Sequence, residues 1–166
     1  GKALSLSLDL RLQYVQHREL QRAMKETGAV AGSAITVDAW TGEILAVSNY
    51  PVFNPNNREA FDYSAARNRA LTDVYEPGST IKTLTLIAAL ESGQFTIDSL
   101  VNTAPGRIRV GGKVLHDPRN YGEISVSKII EKSSQVGVTK LAQAVGHEAI
   151  LELLLRFGFG TQTGTG

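Results

Sequence analysis

The sequence predicts an α+β fold, in which an antiparallel sheet is followed along the chain by a helical cluster. Two β-prone runs joined by a glycine-containing turn predict a hairpin in the first third, and three helix-like segments close the chain. Strands grouped before helices, instead of alternating with them, are typical of this class. The 166 residues and the 42% hydrophobic content fit one folded domain, or part of one.

The N-terminal residues predict a strand and then a helix. Leucines alternate with serines and an aspartate over residues 4–10, which is the period of two of a half-buried strand. Asp9 can cap a helix over about residues 11–26, where apolar residues recur at helical spacing. Gly28 provides the end of that helix.

A hairpin and a long loop follow. Residues 33–38 and 43–48 are β-prone and are joined by a four-residue turn that contains Gly42, which predicts an antiparallel hairpin. Residues 50–77 are rich in proline and asparagine and keep no sustained period, so they predict a loop. A loop of that length within a compact domain is usually functional or disordered.

The second half of the chain predicts mostly helix. Residues 80–91 carry apolar side chains at helical spacing and precede a terminating Gly93. Gly111-Gly112 lies between two β-prone runs and predicts a two-residue hairpin turn. Three further helices are predicted over about residues 125–132, 136–145 and 148–157.

Composition and charge exclude several classes of function. Seventeen Lys and Arg residues against sixteen Asp and Glu give a net charge of +1, and no basic face is gathered that would attract nucleic acid. No apolar run approaches the ~20 residues that a membrane-spanning helix needs. The absence of cysteine excludes disulfides, a thiol nucleophile and thiolate zinc sites. The three histidines have no ligand-like neighbours, so no metal site is predicted.

The most informative segment for function is Glu76-Pro-Gly-Ser-Thr-Ile-Lys82. Ser79 is expected at a helix N-terminus, where unpaired backbone N–H groups can stabilise an oxyanion. Lys82 lies three residues after Ser79, a spacing that places both side chains on one face of a helix. A lysine with a lowered pKa can take the proton of a serine hydroxyl, so the pair is sufficient for acyl transfer. Serine is also an ordinary helix cap, and the S-x-x-K pattern alone often occurs by chance.

A second polar segment, Lys132-Ser-Ser-Gln-Val-Gly137, lies between two predicted helices. The Ser133 hydroxyl could relay a proton, and the Gln135 amide could hold an amide of the substrate. The alternative interpretation is a helix C-terminus followed by the cap of the next helix.

A Ser-His-Asp arrangement is another candidate, with Ser79, His116 and Asp117 as its members. Lys82 is the preferred base, because its spacing from Ser79 is built into the helix. His116 could reach Ser79 only through a tertiary contact, and no local spacing in the sequence indicates one.

Together these segments resemble the transpeptidase domain of class B high-molecular-weight penicillin-binding proteins, most closely the cell-division type, penicillin-binding protein 3. The S-x-x-K motif is typical of that superfamily. Four more segments carry the resemblance in the same order along the chain: Leu6-Ser-Leu-Asp-Leu-Arg-Leu-Gln13, Thr41-Gly-Glu-Ile-Leu-Ala46, Tyr50-Pro-Val-Phe-Asn-Pro-Asn-Asn57 and Arg67-Asn-Arg-Ala70. The resemblance covers essentially the whole chain and implies a fold like those of penicillin-binding proteins and serine β-lactamases.

The resemblance implies roles for four residues. Ser79 becomes the nucleophile that attacks the penultimate D-Ala carbonyl of a peptidoglycan stem peptide, and Lys82 becomes the general base. Ser133 becomes the proton-relay hydroxyl of the family's S-x-N motif. Gln135 stands where the family has asparagine, which moves the amide outward by about 1.5 Å. No metal or organic cofactor is implied.

The family's third motif, Lys-Thr-Gly or Lys-Ser-Gly, does not occur in the sequence. We therefore expect residues 1–166 to form a partial transpeptidase domain, the N-terminal part, without the strand that supplies the second oxyanion-hole amide. Losing one oxyanion donor costs about 10²–10³-fold in rate in a serine protease. These residues alone are expected to carry the nucleophile but not to turn over.

The function implied is a D,D-transpeptidase that cross-links peptidoglycan at the division septum and that β-lactams acylate. The implied partners are stem peptides, β-lactams as covalent ligands and division-machinery proteins, on the periplasmic face of the inner membrane. The family is anchored there by an N-terminal helix, which we do not expect within these 166 residues. A second interpretation, motivated by Gln135 and the missing motif, is a β-lactam sensor or divisome scaffold that does not cross-link. A serine β-lactamase ranks lowest, because no motif places a deacylating glutamate.

Overall fold

The structure, a computed structural model of the chain, describes residues 3–57, 59 and 62–164. The chain divides into two compact units, Gly1–Tyr75 and Glu76–Gly166. Helices combined with antiparallel strands confirm the α+β class. The described strands form three separate two-stranded sheets, however, and not the single sheet that we expected from the sequence.

The first unit is built on a long helix and a hairpin. Its elements are α1 (Leu10–Thr27), β1 (Gly32–Val37), β2 (Ile44–Tyr50) and two one-turn helices, α2 (Tyr63–Ala66) and α3 (Arg69–Thr72). Asp9 caps α1 by accepting hydrogen bonds from the backbone N–H groups of Arg11 and Leu12, and Gly28 ends it in a left-handed conformation. The predicted helix and the predicted antiparallel hairpin are both confirmed.

Two glutamines attach α1 to the hairpin. The amide of Gln13 donates to the carbonyl of Val47 at 2.7 Å and accepts from the Val47 N–H at 2.9 Å. Gln16 donates to the carbonyl of Ala34 at 3.0 Å and to the hydroxyl of Ser48 at 3.1 Å. Polar groups in the middle of both strands are therefore satisfied by helix side chains, which holds α1 in one position on the hairpin.

The strand predicted over residues 4–10 is wrong. Residues 3–9 have no regular secondary structure, and Leu10 already belongs to α1. In the part of the chain that is described, this segment makes one backbone hydrogen bond to β2, from the N–H of Asp9 to the carbonyl of Leu45 at 2.9 Å. A strand needs a ladder of such bonds. The alternating leucines therefore stay exposed, with 81% of Leu4 accessible.

The loop predicted over residues 50–77 is wrong in part, because α2 and α3 lie within it. Each is a single turn, too short to leave a helical period in the sequence. Asp62 caps α2, and Asp73 after α3 accepts from the guanidinium groups of Arg67 and Arg69. Residues 58, 60 and 61 of this prediction lie outside the described residues.

The second unit begins with a 3₁₀ turn, Gly78–Ile81, that runs directly into helix α4 (Lys82–Glu91). Its other elements are β3 (Leu100–Asn102), β4 (Arg107–Val110), β5 (Lys113–His116), β6 (Glu123–Ser125), α5 (Val126–Glu131), α6 (Gln135–Val145) and α7 (His147–Arg156). The four predicted helices and the hairpin around Gly111-Gly112 are confirmed. The antiparallel pair of β3 and β6 was not predicted, because three-residue strands carry too little alternation to recognise.

Helix α4 is shared by two hydrophobic clusters of the second unit. The larger cluster contains Leu86, Ala89, Val101, Val126, Ile129 and Leu141, and the smaller contains Leu84, Ala88 and Leu153. Each fully buried aliphatic side chain contributes about 1.5–3 kcal/mol. Because α4, α5 and α6 all enter the larger cluster, the start of α4 and the α5–α6 connection are held by one core.

Replacing Gly137 with alanine is expected to destabilise the protein by about 1–3 kcal/mol. A Cβ atom at this position in α6 would lie 2.6 Å from Cγ1 of Ile129, a side chain of α5 that is itself 1% exposed. Chemical denaturation measures the loss. Gly112→Ala is the control, since nothing lies within 4 Å of a Cβ atom there. Equal unfolding midpoints for the two variants would contradict the close approach of α5 and α6.

Candidate active site

Ser79 lies in the 3₁₀ turn that opens α4. The preceding Gly78 has a φ of 65°, in the left-handed region that residues other than glycine rarely adopt. Ser79 is exposed, and its hydroxyl makes no hydrogen bond within the described part of the chain. Its backbone N–H is in the first turn and has no intrahelical acceptor. The expected helix N-terminus is confirmed, with a 3₁₀ turn in place of a first α-helical turn.

Lys82, the first residue of α4, is partly buried and points its amine at Ser133. Its Nζ donates to the Ser133 carbonyl at 2.6 Å and to the Ser133 hydroxyl at 2.9 Å. Burial lowers the pKa of Lys82, and the negative charge of Asp117 opposes that shift. A neutral amine has two hydrogens and one lone pair. With both hydrogens directed at Ser133, the lone pair remains free to accept a proton.

Ser133 lies two residues after the end of α5 and has a left-handed conformation. Its φ of 52° is the only positive value at a non-glycine residue among those described. The N–H of Ser133 donates to the Ile130 carbonyl at 3.0 Å, and the N–H of Ser134 donates to the Ile129 carbonyl at 2.9 Å. Glycine usually occupies this position in such a helix end. A glycine here would lack the hydroxyl that meets Lys82.

Ser134 is fully buried and caps α6, with its Oγ accepting from the N–H of Gly137 at 2.8 Å. The interpretation of this segment as a helix end followed by a cap therefore describes its backbone correctly. The contact between Lys82 and Ser133 is what that interpretation omits.

Asp117 is a site residue whose place the sequence did not indicate. Its Oδ2 accepts from the Ser134 hydroxyl at 2.6 Å. Its Oδ1 accepts from the backbone N–H groups of Gln135 at 2.6 Å and of Val136 at 3.2 Å. The sequence offers Asp117 only as a partner of His116, because no spacing signal connects it with a turn so far along the chain.

Three of the predicted residues meet at one cleft of about 470 Å³. Ser79, Lys82 and Gln135 line it, and Ser133 is joined to it through its hydrogen bonds to Lys82. The other lining residues are Gly78, Ile81, Thr85, Leu115, Val138, Thr139 and Ala142. A mostly apolar lining with a few convergent polar groups is typical of a small-molecule site.

The geometry does not favour the Ser-His-Asp alternative. His116 is exposed, and no hydrogen bond joins it to Ser79 or to Asp117 in the described region. Both carboxylate oxygens of Asp117 are already occupied. Over residues 3–57, 59 and 62–164 no group of three or more potential ligands could hold a metal ion. None of the helices formed by these residues has both the length and the apolar character needed to cross a membrane.

Residues 32–166 match the penicillin-binding protein transpeptidase domain family. The chain belongs to the penicillin-binding protein transpeptidase family. It is 43% identical to the peptidoglycan D,D-transpeptidase FtsI of Escherichia coli K12, over 98% of the chain and 27% of that protein. The chain thus spans less than a third of the length of the curated relatives that it matches at 42–43% identity.

Two solved structures of penicillin-binding protein 3 are similar to this chain. The transpeptidase domain from Burkholderia pseudomallei has a TM-score of 0.81 and 34% identity, over 96% of the chain and 44% of that structure. The protein from Mycobacterium tuberculosis, complexed with aztreonam, has a TM-score of 0.88 and 34% identity, over 97% of the chain and 36% of that structure. The resemblance and the fold that we predicted from the sequence are confirmed.

Proposed function

We propose that this chain carries the nucleophile of a serine D,D-transpeptidase that cross-links peptidoglycan stem peptides. The observation that carries the proposal is the meeting of Ser79, Lys82 and Gln135 at one cleft, with the amine of Lys82 bonded to Ser133. The name of the Escherichia coli relative, a peptidoglycan D,D-transpeptidase, supports the substrate class.

The first half-reaction makes an acyl-enzyme. Ser79 Oγ attacks the carbonyl carbon of the penultimate D-Ala, and Lys82 takes the hydroxyl proton. The Ser79 backbone N–H stabilises the oxyanion. As the peptide C–N bond breaks, the proton passes from Lys82 through the Ser133 hydroxyl to the leaving D-Ala nitrogen. The side-chain amide of Gln135 binds an amide of the stem peptide.

The second half-reaction transfers the acyl group. The amine of a neighbouring stem peptide attacks the ester carbonyl and loses a proton to Lys82. The ester C–O bond to Ser79 then breaks, and Lys82 returns the proton to the Ser79 oxygen, which restores the hydroxyl. A β-lactam acylates the same oxygen, but ring opening keeps its leaving nitrogen tethered to the acyl group. The complex of the Mycobacterium tuberculosis protein with aztreonam supports this second class of ligand.

We further propose that residues 1–166 form the N-terminal part of a transpeptidase domain and that the third motif lies in the rest of the protein. Coverage of 44% of the Burkholderia pseudomallei domain supports a partial domain. The strand that carries the third motif would supply the second oxyanion-hole donor. Such a donor is worth about 10²–10³-fold in rate. The experiments therefore use the full-length protein.

The place of action is also part of the proposal. Peptidoglycan lies outside the inner membrane, so the enzyme would act at the periplasmic face, with division-machinery proteins as partners at the septum. The name of the FtsI relative supports cross-linking over the sensor or scaffold alternative.

Muropeptide analysis tests the proposed reaction. Full-length protein incubated with glycan strands that bear pentapeptides should release D-Ala and produce cross-linked dimers. Stable labelling by penicillin without a cross-linked product would favour the sensor or scaffold. Rapid hydrolysis of penicillin would indicate a β-lactamase.

A further inference from the structure

Asp117 is a buried carboxylate directly after β5. Its residue is 8% exposed, and its backbone N–H donates to the Gly106 carbonyl at 2.9 Å, across the open end of the β4–β5 hairpin. The main chain of Asp117 is therefore held by the hairpin. Its side chain contacts a different element, the connection from α5 to α6.

The Asp117 carboxylate accepts three hydrogen bonds from that connection. The donors are the Ser134 hydroxyl at 2.6 Å and the backbone N–H groups of Gln135 at 2.6 Å and Val136 at 3.2 Å. The two N–H groups belong to the first turn of α6, where no intrahelical acceptor exists and the helix dipole favours a negative charge. Charge-assisted bonds of this kind are short and directional, so the turn has one preferred position.

These contacts also constrain Ser133. It precedes Ser134 and holds a left-handed conformation that persists only where the surroundings impose it. The Ser134 hydroxyl is held on both sides, since it donates to Asp117 and accepts from the N–H of Gly137. Because the carbonyl and hydroxyl of Ser133 are the two acceptors of Lys82, anchoring the turn determines where the lysine amine lies.

The charge of Asp117 acts on Lys82 as well. It raises the pKa of that lysine, against the lowering caused by burial. The ionisable residues on the helices packed against α4 are paired elsewhere or exposed. They are Lys128 and Lys132 with Glu131, Arg156 with Glu91, Lys140 on the Asn102 carbonyl, and the exposed His147, Glu148 and Glu152.

We propose that Asp117 is a positioning residue for acyl transfer, because its carboxylate holds the turn of Ser133 and Gln135 against Lys82. The negative charge of Asp117 also acts on the lysine amine, as described above. This inference rests on the proposed function of Ser79 and Lys82. Asp117 itself exchanges no proton with the substrate, because the described contacts occupy both of its oxygens.

Asp117→Asn tests both parts in the full-length protein. The amide oxygen can still accept from the two backbone N–H groups. The amide NH₂ replaces the oxygen that accepts from the Ser134 hydroxyl, so that hydrogen bond is lost. We expect acylation by a fluorescent penicillin to slow by about 10- to 100-fold, the effect of losing a hydrogen bond to a charged group. We also expect the acid limb of the pH–rate profile to move to lower pH, because burial then lowers the pKa of Lys82 unopposed.

Two further variants separate positioning from charge. Ser134→Ala removes one donor but no charge, so it should slow acylation and leave the acid limb in place. Asp98→Asn changes an exposed aspartate of the same unit and should leave both quantities unchanged.

The outcomes distinguish this inference from the proposed function. If the acid limb of the D117N pH–rate profile lies at the wild-type pH, the inference is overturned, whether or not the acylation rate falls. If D117N does not fold, S134A decides, and a wild-type rate for S134A overturns it. Failure of the wild-type protein to be acylated would overturn the proposed function and, with it, this role.

Discussion

Alanine at position 79 is expected to abolish covalent labelling of the full-length protein by a fluorescent penicillin. Without Oγ no ester can form, and in a serine protease loss of the nucleophile costs about 10⁶-fold in rate. Ser79 is exposed, and its hydroxyl has no hydrogen-bond partner in the described regions, so the variant should keep the wild-type fold.

Gel fluorescence and intact mass measure this loss. The matched control is Thr83→Ala, which removes an exposed hydroxyl from the adjoining helix α4. That hydroxyl donates to the Thr80 carbonyl at 2.7 Å, and Thr83 does not line the cleft. T83A should be labelled like the wild type. A penicillin adduct on S79A would place the nucleophile elsewhere.

Methionine in place of Lys82 is expected to slow acylation by about 10²–10⁴-fold, the usual worth of a general base. Methionine fills similar space but can neither accept the Ser79 proton nor donate to Ser133. The wild-type rate should rise with pH, because only the neutral amine is a base. Its midpoint should lie below the ordinary lysine pKa of 10.5, because burial lowers the pKa of Lys82.

Second-order acylation rates measured across a pH series test this role. Lys113→Met is the control, since Lys113 is exposed on β5 and does not line the cleft. Its rate and pH profile should match those of the wild type. If K82M kept the wild-type profile, the base would have to be another group, and His116→Ala would be the next variant to measure.

Local patterns were sufficient for the elements whose determinants lie close in sequence. Helix α1 begins at its own Asp9 cap and ends at its own Gly28, and the hairpin of β4 and β5 closes through the adjacent glycines 111 and 112. The three-residue spacing of Ser79 and Lys82 works in the same way, because a helical turn places both on one face. Both line the same cleft.

The same patterns failed where a distant partner decides. The alternation at Leu4–Leu10 is typical of a strand, but a strand needs a ladder of backbone hydrogen bonds with a neighbour. In the described residues, this segment makes one backbone–backbone hydrogen bond to β2, and the Ser7 hydroxyl donates to the Ile44 carbonyl. The three-residue strands β3 and β6 exist only because each finds the other across the unit.

By itself, the sequence determined the α+β class and most helices and, through the resemblance, the family. It also indicated the candidate nucleophile and a candidate base. The tertiary structure alone decided how the second motif meets the first. Lys82 lies 51 residues from Ser133, and Asp117 lies 17 residues from Ser134. No local period encodes such separations. Packing of α4, α5 and α6 in one core brings those groups within hydrogen-bonding distance, and burial there shifts the pKa of Lys82.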